Sequence, residues 1–285
     1  MATGATILDR AERTLDFDRT SVAVPGLESA ALLAIANDAV LQYHASFEKT
    51  GEPSSILKKE TGYTLVADTA LNGALASGAT SIVGDSFASF GTSGAIAIWD
   101  NDDVDYAEFG ANNLTTTLST VTGVNFAHED NDTVSLLYAL PSNFKTMRSQ
   151  EGVEDGVTVD GTPYFFTSGI PVGNKYAIYD NGTTKYLHFP RGLTGDVFVH
   201  YNAAPTTVDD EADTIDIPEV DIWFPVWKVV EYAAPKLERT DYYQIAKNNA
   251  FDILHSAHQR RSIGKRPRLR PMKRSTGIRR SAIFD

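Results

Sequence analysis

Cysteine is absent from the 285 residues of this chain, and its absence removes several kinds of chemistry. Without cysteine there is no disulfide, no thiolate nucleophile and no thiolate metal ligand. Long apolar runs are also missing: no stretch of about 18 residues is apolar enough to span a membrane, and residues 1–20 lack the apolar core of a signal peptide. We therefore expect no membrane partner, and a protein used in the cytoplasm or packed into an assembly formed there.

Recognisable catalytic signatures are missing as well. The chain contains neither the GxSxG turn of serine hydrolases nor the HExxH helix of zinc proteases. Gly169 and Gly173 have the wrong spacing for a phosphate-binding loop, and the histidines are scattered. His255 and His258 share a helix face, but no carboxylate completes a metal-ligand set with them. These absences predict a protein that is not an enzyme and holds no cofactor or metal.

Two acidic segments resemble functional sites but have a simpler explanation. Residues 100–105, DNDDVD, begin like a calcium loop, yet Asp105 stands at the sixth position, where glycine is needed. Ala111 stands at the twelfth position, where glutamate is needed. Residues 209–213, DDEAD, form a second acidic run. Both segments are predicted to be solvated surface loops.

Charge is distributed very unevenly along the chain. Residues 259–285 hold ten of the 25 basic side chains and one of the 37 acidic ones, a local charge of about +9. The residues before them hold 15 basic and 36 acidic side chains, about −21. A segment so basic and so rich in Gly, Pro and Ser cannot form its own core. It is therefore predicted to lie disordered or to be ordered by an acidic partner, either nucleic acid or protein.

Hydrophobic spacing predicts helices near both ends of the remaining chain. Apolar residues recur at helical intervals over residues 27–49, which contain neither Gly nor Pro. Helical spacing returns over residues 226–237, where Pro235 is expected to end or kink the helix because it lacks a backbone N–H. A last helix is predicted to begin at Asp241, which forms a capping pair with Gln244.

The residues between these predicted helices have a sequence pattern typical of β structure. Short apolar runs alternate with Gly, Asn, Asp and Thr between residues 63 and 218. The predicted strands are 80–83, 95–99, 113–118, 133–138 and 196–201. A hairpin is predicted over residues 175–189, because Asn181-Gly182 between two alternating runs favours a type I′ turn.

Together these patterns predict an α+β protein in which helices from both ends of the chain form a small bundle. A large β-rich insertion of barrel or sandwich type lies between them, and an extended basic tail follows. The predicted segments are 1–62, an N-terminal arm and helix; 63–140 and 141–218, β-rich segments forming one lobe or two; 219–258, C-terminal helices; and 259–285, the tail.

Several of these segments resemble virion proteins of tailed phages. Residues 76–82 (ASGATSI) and 90–98 (FGTSGAIAI) are similar to a small β module of such proteins. Residues 217–220 (IPEV), 227–234 (WKVVEYAA) and 241–254 resemble the closing helices of head-to-tail connectors, the adaptor rings beneath the portal. Residues 30–47 suit the opening helix of that family. The chain departs from the family in its larger β insertion and in Pro235.

This resemblance implies a structural virion protein at the interface of head and tail, assembled in the host cytoplasm. It implies a homo-oligomeric ring, a dodecamer, that contacts the portal above and tail proteins below and lines the channel through which viral DNA is packaged and ejected. An acidic wall suits such a channel because it repels passing duplex DNA, so that contact stays transient and non-specific.

The resemblance also implies a role for the basic tail, which is docking on an acidic portal surface. Arginine suits this role because its guanidinium binds carboxylates bidentately. The residues expected to bind the portal are Arg260, Arg261, Lys265, Arg266, Arg268, Arg270, Lys273, Arg274, Arg279, Arg280 and Phe284. Trp223, Phe224 and Trp227 are expected at the subunit interface.

Two other functions fit the same sequence. The chain could serve elsewhere in the virion, as a tail-completion, tail-tube or fibre-attachment protein, because the β module occurs in those proteins too. It could also be a nucleic-acid-binding protein that uses only its basic tail. The first alternative differs in its location in the particle, and the second predicts DNA binding that weakens steeply with salt.

Overall fold

The computed structural model describes residues 2–20, 24–48, 55–100, 103–148 and 156–264, with side chains described up to Arg260. These residues form two compact units. The helical unit consists of the described residues of Met1–Tyr43 and Val208–Asp285, and the β unit of those of His44–Thr207. The predicted α+β class, with helices near both ends of the chain and a β-rich insertion between them, is confirmed.

The described part of the helical unit is built from α-helices and one short 3-10 helix, Glu219–Asp221. The α-helices are α1, Gly4–Leu15; α2, Ser29–Glu48, of which the residues up to Tyr43 belong to this unit; α3, Trp223–Lys236; and α4, Thr240–Gly264. Helices α2, α3 and α4 correspond to the three helices predicted from hydrophobic spacing. Helix α4 ends at Gly264, whereas the extended tail was predicted to begin at residue 259.

Helix α1 corrects the expectation of an N-terminal arm before the first helix. The Thr3 hydroxyl caps it by accepting a hydrogen bond from the backbone N–H of Thr6, at 3.4 Å. Its apolar residues fall on one face and are buried; they are Ile7, Leu8, Ala11 and Leu15. The helix ends at Asp16, which adopts a left-handed conformation with φ of 50°.

The ends and contacts of α3 and α4 follow from a few residues. Helix α3 stops one residue after Pro235, and the N–H of Leu237 donates to the carbonyl of Ala233 at 3.1 Å. Helix α4 packs along α3. It buries small side chains, Ala246, Ala250 and Ala257, which allow two helices to approach closely.

The β unit contains a short 3-10 helix, Ser55–Leu57, and a 13-stranded mixed sheet. The strands are β1, Lys58–Leu65; β2, Thr69–Ala70; β3, Ser81–Val83; β4, Gly94–Asp100; β5, Asp103–Asn112; β6, Thr117–Thr122; β7, Thr133–Ala139; β8, Phe144–Met147; β9, Val157–Val159; β10, Thr162–Phe166; β11, Lys175–Asp180; β12, Lys185–His188; and β13, Gly195–Ala203.

Strand order in the sheet is β1-β13-β9-β10-β11-β12-β7-β4-β5-β6-β3, with β2 also paired to β7 and β8 to β13. All pairs are antiparallel except β10 with β11. Strand β4 lies between β5 and β7, and its interior is buried on both faces. Ile96 and Ile98 enter one apolar cluster while Ala95 and Ala97 enter another, which explains the uninterrupted apolar sequence of this strand.

Two of the predicted β features need correction. Residues 113–118 are mostly a turn, because the side-chain oxygen of Asn113 accepts hydrogen bonds from the backbone N–H groups of Thr115, Thr116 and Thr117. The predicted hairpin is present as β11 and β12, but its loop has four residues and not a two-residue type I′ turn. Asp180 pairs with Lys185, so residues 181–184 form the loop.

Candidate docking surface on the helical unit

The end of α4 is tied to the residues just before α3 by a buried carboxylate. Asp221 is 3% exposed and accepts a hydrogen bond from the Tyr43 hydroxyl at 2.8 Å. Its other oxygen accepts from the guanidinium of Arg260, near the end of α4. This three-residue contact, called here the Asp221 anchor, fixes where the chain leaves the helical unit toward the basic segment.

Most of the residues expected to bind the portal lie outside the described residues. Arg260 is the one whose side chain is described, and it contacts Asp221 within its own chain. The backbone of Arg261 continues α4. The rest lie beyond the described residues: Lys265, Arg266, Arg268, Arg270, Lys273, Arg274, Arg279, Arg280 and Phe284.

The three aromatic residues expected at a subunit interface have different surroundings. Trp223 is 40% exposed and lies beside Trp227, with 6.0 Å between ring centroids. Phe224 is buried, and its ring packs against Tyr43 at 5.8 Å. Phe224 therefore stabilises the core of the helical unit, while the two tryptophans remain near the surface.

An arginine and a valine extend the surface around the tryptophans. The guanidinium carbon of Arg10 lies 5.2 Å from the ring centroid of Trp223, a cation–π contact. Val220 precedes Trp223 by three residues and is 67% exposed. We call Arg10, Val220, Trp223 and Trp227 the aromatic patch. Among the described residues, no carboxylate lies within 4.0 Å of the Arg10 guanidinium nitrogens.

A groove of about 370 Å³ lies elsewhere on the same unit, between α2, α3 and α4. Its lining includes Ile35, Asp38, Gln42, Lys228, Tyr232 and Tyr243. Lys228 pairs with Glu231, with 2.6 Å between nitrogen and oxygen. Asp38 has no basic side chain within 4.0 Å in the part of the chain that the structure describes. The groove therefore carries one uncompensated negative charge.

The acidic segment 209–213 is tied to α1 and is not the freely solvated loop expected. The carbonyls of Asp213 and Glu211 accept hydrogen bonds from the backbone N–H groups of Gly4 and Ala5, at the start of α1. Glu211 also pairs with Arg19 at 3.0 Å, and hydrogen bonds from Ser29 and Arg19 hold the pKa of Glu211 below its ordinary value. This loop therefore stabilises the N-terminus of α1.

Arg19 also joins α1 to the acidic loop of residues 209–213. Its guanidinium lies 3.1 Å from Asp9 and 2.5 Å from Glu12, in addition to Glu211. Burial alone would lower the pKa of Arg19, but hydrogen bonds to Glu211 and Asp9 and the charge of Glu12 outweigh burial and raise it. Arg19 is thus a structural cation, whereas Arg10 and Arg13 of α1 have no carboxylate within 4.0 Å among the described residues.

The acidic segment 100–105 is also not a solvated loop throughout. Asp105 is 3% exposed and accepts hydrogen bonds from the backbone N–H groups of Asn125, at 2.7 Å, and Phe126, at 3.1 Å. It lies 3.3 Å from Nε2 of His128. Asp105 therefore holds the loop that carries the exposed Phe126. Within the described residues, no cluster of His, Asp and Glu has the arrangement of a metal site.

Several residues of this surface are not apparent from the sequence. The spacing of Ile7, Leu8, Ala11 and Leu15 predicts α1 and would have placed Arg10 outside its apolar face. No sequence signal pairs Asp221 with Arg260 or Tyr43, because these residues meet only when α2, α3 and α4 pack together.

Comparisons with known proteins identify no family for this chain. No protein-family model matches this chain, and a search of curated proteins finds no protein similar to it. No helix among the described residues combines the length and apolar character needed to cross a membrane.

Proposed function

We propose that this chain is a structural, non-enzymatic adaptor that forms a ring between the portal and the tail of a tailed phage. Twelve copies are expected from the connector resemblance. The acidic body lines the DNA channel, the basic segment after α4 docks on the portal, and the ring contacts tail proteins on its other side. The observation that carries this proposal is the separation of charge between the body and the segment that follows the Asp221 anchor.

The charge of the body supports a channel wall. Residues 1–43 and 208–258 hold 17 acidic and 7 basic side chains, and residues 44–207 hold 19 acidic and 8 basic ones. Both units are therefore acidic. Duplex DNA binds proteins largely through release of counterions by basic side chains, so a wall with this excess of carboxylates lets DNA pass without holding it.

The anchor supports docking by the basic segment. Arg260 and Asp221 fix the end of α4, and eight Lys or Arg residues follow within residues 265–285. Six of the eight are arginines, which bind carboxylates with two parallel hydrogen bonds. Each copy in a ring contributes one such segment, and many weak contacts that form together give strong overall attachment.

The proposal predicts that removing the basic charges abolishes portal binding and leaves the body folded. The test variant replaces the eight Lys and Arg residues of 265–285 by Gln, which keeps the length of the segment. A matched control replaces the six arginines by Lys, which keeps the charge. Binding to the purified portal protein of the same virus is measured by sedimentation, and particles are imaged by negative-stain electron microscopy.

We expect rings with a central hole for the unsubstituted chain, loss of portal binding for the Gln variant and partial loss for the Lys control. Circular dichroism should be unchanged in both variants. A stable monomer that neither forms rings nor binds the portal would refute the adaptor. Tight binding of the chain to duplex DNA, lost steeply as salt rises and equally strong in the Lys control, would favour the nucleic-acid-binding alternative.

A further inference from the structure

The helical unit carries two surface features of opposite charge that lack partners within the described chain. The aromatic patch projects Trp223 and Val220 with the unpaired cation Arg10 beside them. The groove between α2, α3 and α4 has the unpaired carboxylate Asp38 in its lining. Exposed aromatic side chains next to an arginine are the residues that most often dominate protein interfaces.

On α3, the groove is lined partly from the side opposite Trp223, and partly by Glu231, which follows Trp227 by four residues and so lies next to the patch. An α-helix turns by about 100° per residue, so Lys228 and Tyr232, which line the groove, lie about 140° and 180° around the axis from Trp223. One copy therefore presents both the aromatic patch and the groove, with Trp223 on the side of α3 that faces away from Lys228 and Tyr232. This is the arrangement that a head-to-tail contact requires, and repeated head-to-tail contacts close into a ring when the rotation between neighbouring copies completes a full turn.

We propose that the aromatic patch of one copy docks in the groove of the next copy, with Trp223 in the recess and Arg10 opposite Asp38. The proposal rests on the ring proposed above and names the contact that builds it. The occupant we propose is a second copy of this chain because, of the three ways to pair these two surfaces, only patch against groove brings opposite charges together. Patch against patch would bring Arg10 against Arg10, and groove against groove would bring Asp38 against Asp38.

The size of the groove agrees with this occupant. A recess of about 370 Å³ lies within the range of clefts that bury small organic molecules, which are larger than an indole ring. Its lining combines the apolar Ile35 with the aromatic Tyr232 and Tyr243. These side chains suit the faces of an indole, and Asp38 at the same site suits the guanidinium that accompanies it.

Disulfide trapping tests the contact directly, because the chain contains no cysteine of its own. The test variant is Val220→Cys with Gln42→Cys, which places one thiol at the patch and one in the groove and keeps Arg10, Asp38 and Trp223. Oxidation should give a ladder of covalent oligomers on a denaturing gel. The control, Val220→Cys with Asp252→Cys, carries the second thiol on the exposed side of α4 and should give no ladder.

Charge reversal tests the same pairing without thiols. Arg10→Glu should raise the concentration needed for ring formation by at least about tenfold, and Asp38→Arg in the same chain should restore it. The matched control is Arg13→Glu on the same helix, which should assemble normally. Phe251→Ala, at an exposed aromatic outside the patch, is the control for Trp223→Ala, and only the latter should impair assembly.

The outcomes separate this contact from the adaptor function. Rings in the microscope with no ladder from Val220→Cys/Gln42→Cys, and with normal assembly of Arg10→Glu, would overturn the proposed contact and leave the ring in place. Absence of rings from the unsubstituted chain, alone and with the portal protein, would refute the adaptor itself. A ladder from the test pair, none from the control pair, and rescue by the double charge reversal would establish the contact.

Discussion

In the helical unit, the organising polar contacts join residues that are far apart in the sequence, whereas in the β unit many of them close a single loop or hairpin. Tyr43 reaches Asp221, and Arg19 reaches Glu211. In the β unit, Asn113 closes its own turn, and Asp105 on β5 holds the residues that follow β6. The helical unit is therefore complete only when both ends of the chain meet, while some loops of the β unit, such as the one that Asn113 closes, are held by residues nearby in the sequence.

One buried charge of the β unit contrasts with two surface charges of the helical unit. Asp105 in the β unit is buried and fully engaged with donors inside that unit. In the helical unit, Arg10 and Asp38 remain without an ion-pair partner among the described residues. The unpaired Arg10 and Asp38 are the charges that we propose for assembly, and the hydrogen bonds of Asp105 stabilise the β unit from within. Substitutions in each unit should therefore have effects confined to that unit.

The largest effect is expected for Asp105→Ala in the β unit. The substitution removes the acceptor for two backbone N–H groups and the Asn125 amide and leaves His128 without its buried partner. We expect a loss of about 3–5 kcal/mol in the free energy of unfolding of the β unit. Asp103→Ala, two residues earlier and exposed, is the control and should cost less than about 0.5 kcal/mol.

Urea unfolding combined with peptide-level hydrogen exchange measures both units in one sample. Exchange should rise in peptides around residues 123–128 and stay unchanged in α3 and α4. Equal destabilisation by the Asp105 and Asp103 substitutions would contradict the role given to the buried carboxylate. A comparable rise of exchange in α3 would contradict the separation of the two units.

A slightly smaller effect is expected when His188 of the β unit is protonated. His188 is fully buried beside Trp99 and Tyr106, and burial lowers its pKa from 6.5 to about 4. The unfolded chain therefore binds the proton more tightly than the folded chain between these values. Stability of the β unit should fall as pH drops from about 6.5 to about 4, by up to about 3 kcal/mol, and this contribution should level off below that.

His188→Gln should flatten this slope, and His200→Gln, on β13, should retain it when unfolding is measured across the same pH range. The stability of the helical unit should change over a lower range of pH. Because the pKa of Glu211 is lowered in the folded chain, its stabilising contribution is present above its ordinary pKa and is lost only as pH falls through the lowered value. Simultaneous acid unfolding of both units near pH 6 would contradict this order.

The smallest of the three effects is expected for Asp221→Ala in the helical unit. Tyr43 would lose its buried acceptor, while Arg260 can turn toward solvent, so we expect a loss of about 2 kcal/mol. Hydrogen exchange should rise in the last turns of α4 and remain unchanged in the β sheet. Asp252→Ala, exposed on α4, is the matched control. Unchanged protection at the end of α4 would show that the Asp221 anchor does not hold it.

Local patterns in the sequence predict much of the fold. Helices α2, α3 and α4 follow from the spacing of apolar residues, and the end of α3 follows from Pro235. The hairpin of β11 and β12 is predicted, but its turn is not, because the side-chain oxygen of Asn181 accepts hydrogen bonds from the N–H groups of Thr183 and Thr184 and favours a longer loop. Side-chain capping of this kind competes with the backbone turn that Asn-Gly would otherwise favour.

The functional surface is less predictable, because its residues meet only through tertiary packing. Asp105 looks like one of several solvated carboxylates until its donors, about twenty residues later in the sequence, are known. Arg260 looks like the first cation of the tail until α4 places it against Asp221. Trp223, Phe224 and Trp227 are aromatic residues within five positions of the sequence, and only the packing of Phe224 on Tyr43 separates the core residue from the surface ones.

The Asp221 anchor also sets the rotational phase of α4. Ala246, Ala250 and Ala257 fix one side of the helix, and Arg260 must reach Asp221 from the position that this side dictates. Inserting a single residue between Ala257 and Arg260 would turn the guanidinium by about 100° and advance it by about 1.5 Å, out of reach of the carboxylate. The number of residues in α4 therefore determines the orientation of its last turn, from which the chain continues into residues 265–285.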